Sequence, residues 1–153
     1  MILDADLTVQ PKDLPKFFNT IASGKGEFIN GSRFVYPKEK ESMRFLRSLA
    51  NKFFSMLFSW IFSHYFKDTL CGTKVIAKSD YEKIKKDRTF LGNFDRYGDF
   101  DLILGSYRQN LKIVDIPVHY KNRTYGETNI PMWQGGAILL RAAFFAMRKI
   151  KFI

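Results

Sequence analysis

Apolar and polar positions change their period several times along this 153-residue chain. Four short apolar runs are typical of β-strands, namely 2–7, 27–33, 73–77 and 112–118. We expect the first to be a buried strand whose carboxyl end presents acidic side chains. Helical spacing at 11–21 and 100–108 predicts two helices, and Gly24 and Gly26 stop the first of them. Strands that alternate with helices predict an α/β layer architecture.

Two longer segments combine a wide apolar face with basic residues. In 43–66, polar side chains recur near the helical period among Phe, Leu, Met, Ile and Trp. The segment 135–153 is similar, with Arg141 and Arg148 among apolar residues. Such a face fits either a helix buried between two layers or an amphipathic helix in the plane of a membrane interface. Neither segment has the ~20 uninterrupted apolar residues of a spanning helix, and two such segments favour membrane contact more than one would.

Composition narrows the class of protein and of partner. With 46% hydrophobic residues the chain has enough apolar material for one packed domain, which argues against disorder. Its 25 Lys and Arg against 15 Asp and Glu give a net charge of +10, which favours an anionic partner: nucleic acid, a phosphorylated substrate or an acidic membrane face. The single cysteine, Cys71, excludes an intrachain disulfide and a thiolate cluster for zinc. The acidic start does not read as a signal peptide, so we do not expect export.

Several residues suggest chemistry but also have structural explanations. Asp4 and Asp6, one residue apart at a predicted strand end, offer two hard oxygen ligands suited to Mg²⁺ or Mn²⁺, or else form a solvated turn. Asp68 fits either a catalytic carboxylate or an Asx turn before a strand. Arg123 fits either a phosphate-binding guanidinium or an exposed loop cation. His64, His119 and Cys71 lack the partner spacing of a triad or metal site, so we expect structural roles for them.

Five motifs follow one another along the chain: DAD at 4–6, NGSR at 30–33, DTLCGTK at 68–74, GDFDL at 98–102 and YKNRTYGETN at 120–129. In this order they resemble the family 2 glycosyltransferases of GT-A fold, specifically the branch that acts on polyprenyl phosphates and includes dolichyl-phosphate mannose synthase. The resemblance covers nearly the whole chain from Ile2 to the C-terminal helix. It implies that 1–153 is a single partial domain, the C-terminal portion of a Rossmann-like three-layer fold without the N-terminal nucleotide-binding part.

The resemblance also implies roles for individual residues. It assigns metal binding to Asp4, Asp6 and Thr8, where Thr8 replaces a Gln common in the family. Substrate binding would fall to Arg33, Arg123, Gly126 and Thr128, and Asn129 replaces a usual Lys. The carboxylates nearest the transferred sugar and the acceptor would be Asp68, Asp99 and Asp101.

The implied reaction is transfer of a hexose, with inversion, from a nucleoside diphosphate sugar to a polyprenyl phosphate in cell envelope glycan biosynthesis. Mg²⁺ or Mn²⁺ would assist it. The enzyme would be peripheral on the cytoplasmic face of a membrane, without a nucleic acid partner. Because the donor-binding strands precede the Asp-x-Asp motif in the family, we expect this chain alone to transfer sugar poorly or not at all. Three explanations stay open: a truncated product, the second piece of a split enzyme with a separate N-terminal half, or a misassigned start.

Two alternatives remain from the sequence. One is a non-enzymatic basic module that binds an anionic membrane or nucleic acid, which accounts for the charge and aromatic residues but not for the ordered motifs. The other keeps the transferase fold with a soluble acceptor.

Overall fold

A computed structural model describes residues 1–3, 8–35, 45–86, 99–121 and 132–152. These residues form a mixed α/β structure with three strands and five helices. The strands are β1 (Phe28–Ser32), β2 (Lys74–Ile76) and β3 (Ile113–Pro117). The helices are α1 (Leu14–Ala22), α2 (Phe45–Phe62), α3 (Lys78–Lys86), α4 (Asp99–Arg108) and α5 (Met132–Ile150), and a 3₁₀ turn (Pro11–Asp13) leads into α1.

The three strands form one mixed sheet with β1 in the centre, in the order β2-β1-β3. Strand β2 runs antiparallel to β1, and β3 runs parallel to it. Two isolated bridges extend the pairing beyond the strands: Ile2 pairs with Lys74, and Val9 pairs with Tyr120. The carboxyl end of β1 therefore lies between segments that immediately precede and follow residues 4–7.

Successive residues of β1 point to opposite faces of the sheet and join different cores. Phe28 belongs to an apolar cluster that includes buried residues of α2, α4 and α5. Ile29 belongs to a second cluster, which contains Phe17 of α1. Helices therefore cover both faces of the sheet, in agreement with the predicted α/β layer architecture.

Helix boundaries follow local signals with some differences from prediction. Helix α1 ends at Ala22, and Gly24 takes a φ of +67°, a conformation that glycine adopts without a steric penalty. Helix α2 ends at Phe62 rather than 66, and Ser63 follows with a φ of 50°. Helix α5 begins before the predicted residue 135 and ends at Ile150. Helix α3 was not predicted, because its sequence is highly charged and Ile84 is its buried residue.

The first predicted strand differs from expectation. Ile2 makes one bridge to Lys74, but Met1, Ile2 and Leu3 are all exposed, so this part of the strand is not buried. Residues 4–7 lie outside the described ranges. Met1, Ile2 and Leu3 are exposed for two reasons. The Ile2 backbone pairs only with β2 among the described residues, and no described helix covers these three side chains.

Helix α2 is not enclosed between two layers. Phe54, Phe58 and Ile61 are buried against the sheet and α5, whereas Phe53 and Trp60 are more than half exposed. The apolar positions are thus divided between a packed face and a solvent-facing one. In the described part of the chain, no helix combines the length and apolar character needed to cross a bilayer.

Candidate functional site

A polar row crosses the sheet on the face that carries α2, α4 and α5. Asn30 of β1 is the register partner of Lys74 on β2 and of Asp115 on β3, so the three side chains share one face. The neighbouring row on the same face contains Phe28, two residues before Asn30 on β1, and its register partners Ile76 and Ile113. That row is apolar. The face therefore changes from apolar to polar towards the carboxyl end of β1, where parallel α/β sheets commonly bind ligands.

Asn30 connects this row to the segment that precedes β2. Its Nδ2 donates to Asp115 Oδ1 at 2.8 Å and to the Asp68 carbonyl oxygen at 2.7 Å. The backbone N–H of Lys67 donates to Asp115 Oδ2 at 2.7 Å. Burial raises the pKa of Asp115. The hydrogen bonds that its carboxylate accepts from the Lys67 N–H and from Asn30 Nδ2 work against this rise but do not cancel it. The contacts hold residues 67–68 against the end of the sheet.

Arg33 and Asp68 form a bidentate ion pair just beyond β1. Arg33 Nε donates to Asp68 Oδ2 at 2.6 Å and Nη2 donates to Oδ1 at 2.9 Å. The backbone N–H groups of Arg33 and Leu70 donate to the same carboxylate at 3.1 and 3.0 Å. Burial works to lower the pKa of Arg33, but the Asp68 charge outweighs it and raises that pKa above its usual value. Asp68 is fully buried and accepts four hydrogen bonds, so its carboxylate is committed to holding Arg33.

The Arg33 guanidinium is held on two sides. Its side chain is 10% exposed, and its central carbon lies 5.3 Å from the centroid of the Tyr120 ring. The pair with Asp68 uses Nε and Nη2, and within the described residues Nη1 has no acceptor. A planar, permanently charged group oriented in this way is suited to an anion such as phosphate.

Lys74 ties the first turn of α4 to the sheet. Its Nζ donates to Asp99 Oδ1 at 2.8 Å and also to the Cys71 carbonyl oxygen. The Lys74 side chain is fully buried, whereas that of Asp99 is 26% exposed. Asp101, two residues further along α4, is buried. Of the three acids predicted near the substrate, Asp68, Asp99 and Asp101, Asp99 is therefore the one that solvent reaches.

A second polar cluster clamps residues 8–13 to the end of β3. The Thr8 carbonyl oxygen accepts from the Lys121 N–H at 2.8 Å. Asp13 is buried and accepts from the His119 N–H at 2.6 Å and from Lys16 Nζ at 2.7 Å, with His119 Nδ1 at 3.0 Å. Burial works to raise the pKa of Asp13, but the hydrogen bonds from Lys16 and His119 outweigh it and lower that pKa. The clamp joins the segment after the Asp-x-Asp motif to the segment before the Arg123 loop.

The structure brings some predicted site residues together and leaves others undescribed. Arg33 and Asp68 touch each other, and Asp99 reaches the same end of the sheet through Lys74. The predicted residues that lie outside the described ranges are Asp4, Asp6, Arg123, Gly126 and Thr128. The described residues contain no group of three or more His, Cys, Asp or Glu side chains that could hold a metal ion.

Sequence reasoning missed Asn30, Asp115, Asp13 and the burial of Lys74. The sequence signal for Asp115 is a charged residue inside an otherwise apolar predicted strand, and Lys74 has the same signal besides its place at the end of the DTLCGTK motif. Cys71 is buried beneath the same end of the sheet, and burial raises the pKa of its thiol to about 11. That shift is consistent with a packing role rather than a nucleophile.

Comparison with known proteins assigns no relative: no protein-family model, curated protein or solved structure matches the chain.

Proposed function

We propose that this chain is part of a GT-A glycosyltransferase that transfers a hexose from a nucleoside diphosphate sugar to a polyprenyl phosphate, with inversion. The supporting observation is the convergence of three motifs at the carboxyl end of β1. Arg33 and Asp68, 35 residues apart in sequence, form a buried ion pair there, and Lys74, the register partner of Asn30, pairs with Asp99. The basic module does not account for the ordered motifs that supply these residues.

The chemistry of the transfer fits a fixed guanidinium. Negative charge develops on the diphosphate leaving group as its bond to the sugar breaks, and a preoriented cation stabilises that charge without reorganising. We assign this task to Arg33, and we assign to Asp68 and Tyr120 the task of orienting it. Arg123 would supply a second cation, with Gly126 and Thr128 allowing its loop to approach the phosphates.

The carboxylates have different tasks in this proposal. Asp68 accepts four hydrogen bonds and is a positioning residue rather than a base. A phosphate monoester acceptor has its second pKa near ~6 and is largely ionised at neutral pH, so it attacks without a general base. Asp99, partly exposed, would instead accept hydrogen bonds from the sugar, and Asp101 would support the first turn of α4.

Mg²⁺ or Mn²⁺ is proposed as the cofactor. Asp68 and Asp99 are each paired with a cationic side chain, which makes them poor metal ligands and leaves this role to Asp4 and Asp6, with Thr8 beside them. A bound divalent cation would add positive charge next to the diphosphate. The clamp between Asp13 and His119 joins the described segments that follow the Asp-x-Asp motif and precede Arg123 in the sequence.

The acceptor lies in a membrane, so we propose a peripheral location on its cytoplasmic face. We also propose that strands outside residues 1–153 complete the donor site. The Ile2 backbone pairs with Lys74 on one edge, and the apolar side chains of Met1, Ile2 and Leu3 are exposed, which supports a further strand beside this segment.

The purified chain, incubated with Mn²⁺, detergent-solubilised polyprenyl phosphate and radiolabelled UDP-glucose or GDP-mannose, tests the proposal. We expect label in the organic extract, at a low rate without the N-terminal half. Arg33→Lys keeps the charge but loses the bidentate geometry, and we expect a rate lower by about a hundredfold. Lys83→Gln, on the exposed face of α3, is the matched control. Absence both of transfer and of calorimetric binding to every nucleotide sugar, together with salt-dependent DNA binding, would favour the basic module.

A further inference from the structure

Helix α2 exposes an apolar stripe along its solvent side. Leu49, Phe53, Met56 and Trp60 follow each other at intervals of four, three and four residues, which places them on one helical face. Each of these side chains is between 55% and 65% exposed. Exposed apolar residues are common singly, but a continuous row of four on one face indicates an interaction surface.

Helix α5 carries a second stripe of the same kind. Trp133, Leu140 and Phe144 lie on one face, at intervals of seven and four residues, and they are 83%, 53% and 59% exposed. On the other side of the helix, Ala142 and Ala146 are buried in the cluster that contains α2 residues. The small alanines bring α5 close to its neighbours and leave the large apolar side chains pointing outwards.

The two stripes meet at the carboxyl ends of their helices. Lys151 Nζ lies 5.7 Å from the centroid of the Trp60 ring and donates to Ser63 Oγ at 3.0 Å. The Arg148 guanidinium lies 6.0 Å from the Phe144 ring centroid. Cations thus lie at the border of the apolar surface, in direct contact with its aromatic residues.

Every charged residue within the two helical segments is basic. Segments 45–62 and 132–152 contain no Asp or Glu. They contain six basic residues: Arg47, Lys52, Arg141, Arg148, Lys149 and Lys151. An apolar stripe bordered by Lys and Arg fits the boundary between the acyl chains and the anionic headgroups of a bilayer.

We infer that the stripes of α2 and α5 form a single face that docks in the plane of an anionic membrane. The aromatic and aliphatic side chains enter the boundary between headgroups and acyl chains, and the bordering cations contact lipid phosphates. A second copy of the chain is a poorer occupant, because symmetric pairing would bring the same cations together. Nucleic acid is also a poorer occupant, because its phosphates would face Leu49, Met56 and Leu140. This inference deepens the peripheral location of the proposed function by naming the docking face, and because the binding tests below measure no sugar transfer, its failure and that of the transferase activity are distinguishable.

The tryptophans provide a direct test. The chain has two, and they are Trp60 in the α2 stripe and Trp133 in the α5 stripe. We expect phosphatidylcholine vesicles that contain phosphatidylserine and brominated acyl chains to quench the fluorescence of both. Trp60→Phe and Trp133→Phe each leave one reporter, so each helix is measured separately. Quenching of one reporter alone would refute a shared face.

Substitutions within and outside the stripes separate insertion from nonspecific adhesion. Phe53→Gln combined with Phe144→Gln should lower the vesicle partition coefficient by at least about tenfold. Phe18→Gln is the matched control, because Phe18 is 65% exposed but lies on α1, which covers the opposite face of the sheet. All three side chains are exposed, so the fold should persist by circular dichroism. Equal loss in the control would contradict the inference.

The cations are tested by lipid composition. Arg148→Gln combined with Lys151→Gln should weaken binding to vesicles containing phosphatidylserine by about fivefold per charge, with little change on pure phosphatidylcholine. Lys85→Gln with Lys86→Gln, on the exposed side of α3, removes the same charge elsewhere and should have a smaller effect. Flotation of the protein with phosphatidylserine vesicles without tryptophan quenching would refute insertion. Dimers of the unmodified protein that are absent in the Phe53→Gln, Phe144→Gln variant would identify a second copy of the chain as the occupant and would overturn the inference.

Discussion

Removal of the Asp68 charge is the perturbation with the clearest energetic consequence in this structure. Asp68→Asn keeps the size of the side chain but leaves the Arg33 guanidinium nearly buried without a counter-ion. An amide also replaces one acceptor oxygen by a donor, so it cannot accept all four hydrogen bonds that the carboxylate accepts. The variant therefore loses both a charge pair and hydrogen-bond acceptors.

The expected cost follows from burial. Breaking a buried, hydrogen-bonded ion pair by removing one partner costs about 3–5 kcal/mol, mainly because the other charge stays buried. A small domain has a free energy of unfolding of about 5–15 kcal/mol, so Asp68→Asn should remove a large fraction of it. Arg33→Met should cost a similar amount, because Asp68 keeps two backbone donors but no cation.

Urea unfolding followed by far-UV circular dichroism at neutral pH measures these effects. The double variant Arg33→Met, Asp68→Asn buries no unpaired charge, so its loss should not exceed that of the worse single variant. Asp80→Asn is the control, since the Asp80–Lys83 pair on α3 has its lysine side chain 65% exposed. We expect that control to cost less than about 1 kcal/mol.

Two results would refute this reasoning. Single-variant losses below about 1 kcal/mol would mean that solvent reaches the pair as it reaches a surface pair. Additive losses in the double variant would mean that Arg33 and Asp68 stabilise the chain independently. Their contact would then contribute no interaction free energy to folding.

Other contacts lead to further predictions. The lowered pKa of Asp13 means that its contribution to stability is complete above the ordinary value of about 4 and is lost as pH falls through the lowered value, so Asp13→Asn should flatten the acid side of the stability curve in pH-dependent urea melts. Cys71, with its pKa raised to about 11, should react slowly with a thiol reagent at pH 8 in the native chain and quickly in urea; fast native reaction would contradict its burial. A Cβ at Gly31 would lie 2.7 Å from Cys71 Sγ, so Gly31→Ala should lower the unfolding free energy by about 1–3 kcal/mol. Gly136→Ala in α5 meets nothing within 4 Å and should raise it by about 0.5–1 kcal/mol in the same melts.

Local signals predicted most of the described elements. The strands and α4 appear within one or two residues of their predicted bounds, because alternation, helical spacing and Gly turns act over a few neighbouring residues. Helix α3 was missed because its stability comes from a distant contact. Ile84 packs directly on Gly105 of α4, which no periodicity within the charged α3 segment could reveal.

The candidate site was predictable only in part. Arg33, Asp68 and Asp99 were singled out from motifs, but the motifs did not say which acid would face which cation. Asp68 forms its ion pair with Arg33, and Asp99 forms its ion pair with Lys74. Both pairs join residues that are 25 or more positions apart in sequence. Asp13 was passed over because its partner, His119, is 106 residues away.

The amino-acid sequence alone determined the positions of β1, β2, β3 and α4, the basic charge and the absence of an intrachain disulfide, since these depend on composition or on short-range periodicity. Tertiary structure decided which carboxylates are neutralised and which side of α2 and α5 faces outwards. Those properties depend on contacts across the sheet and between helices, where burial sets the cost of every unpaired charge. An apolar face predicted from periodicity says only that a side chain avoids water, and packing decides how much of that face the protein itself covers.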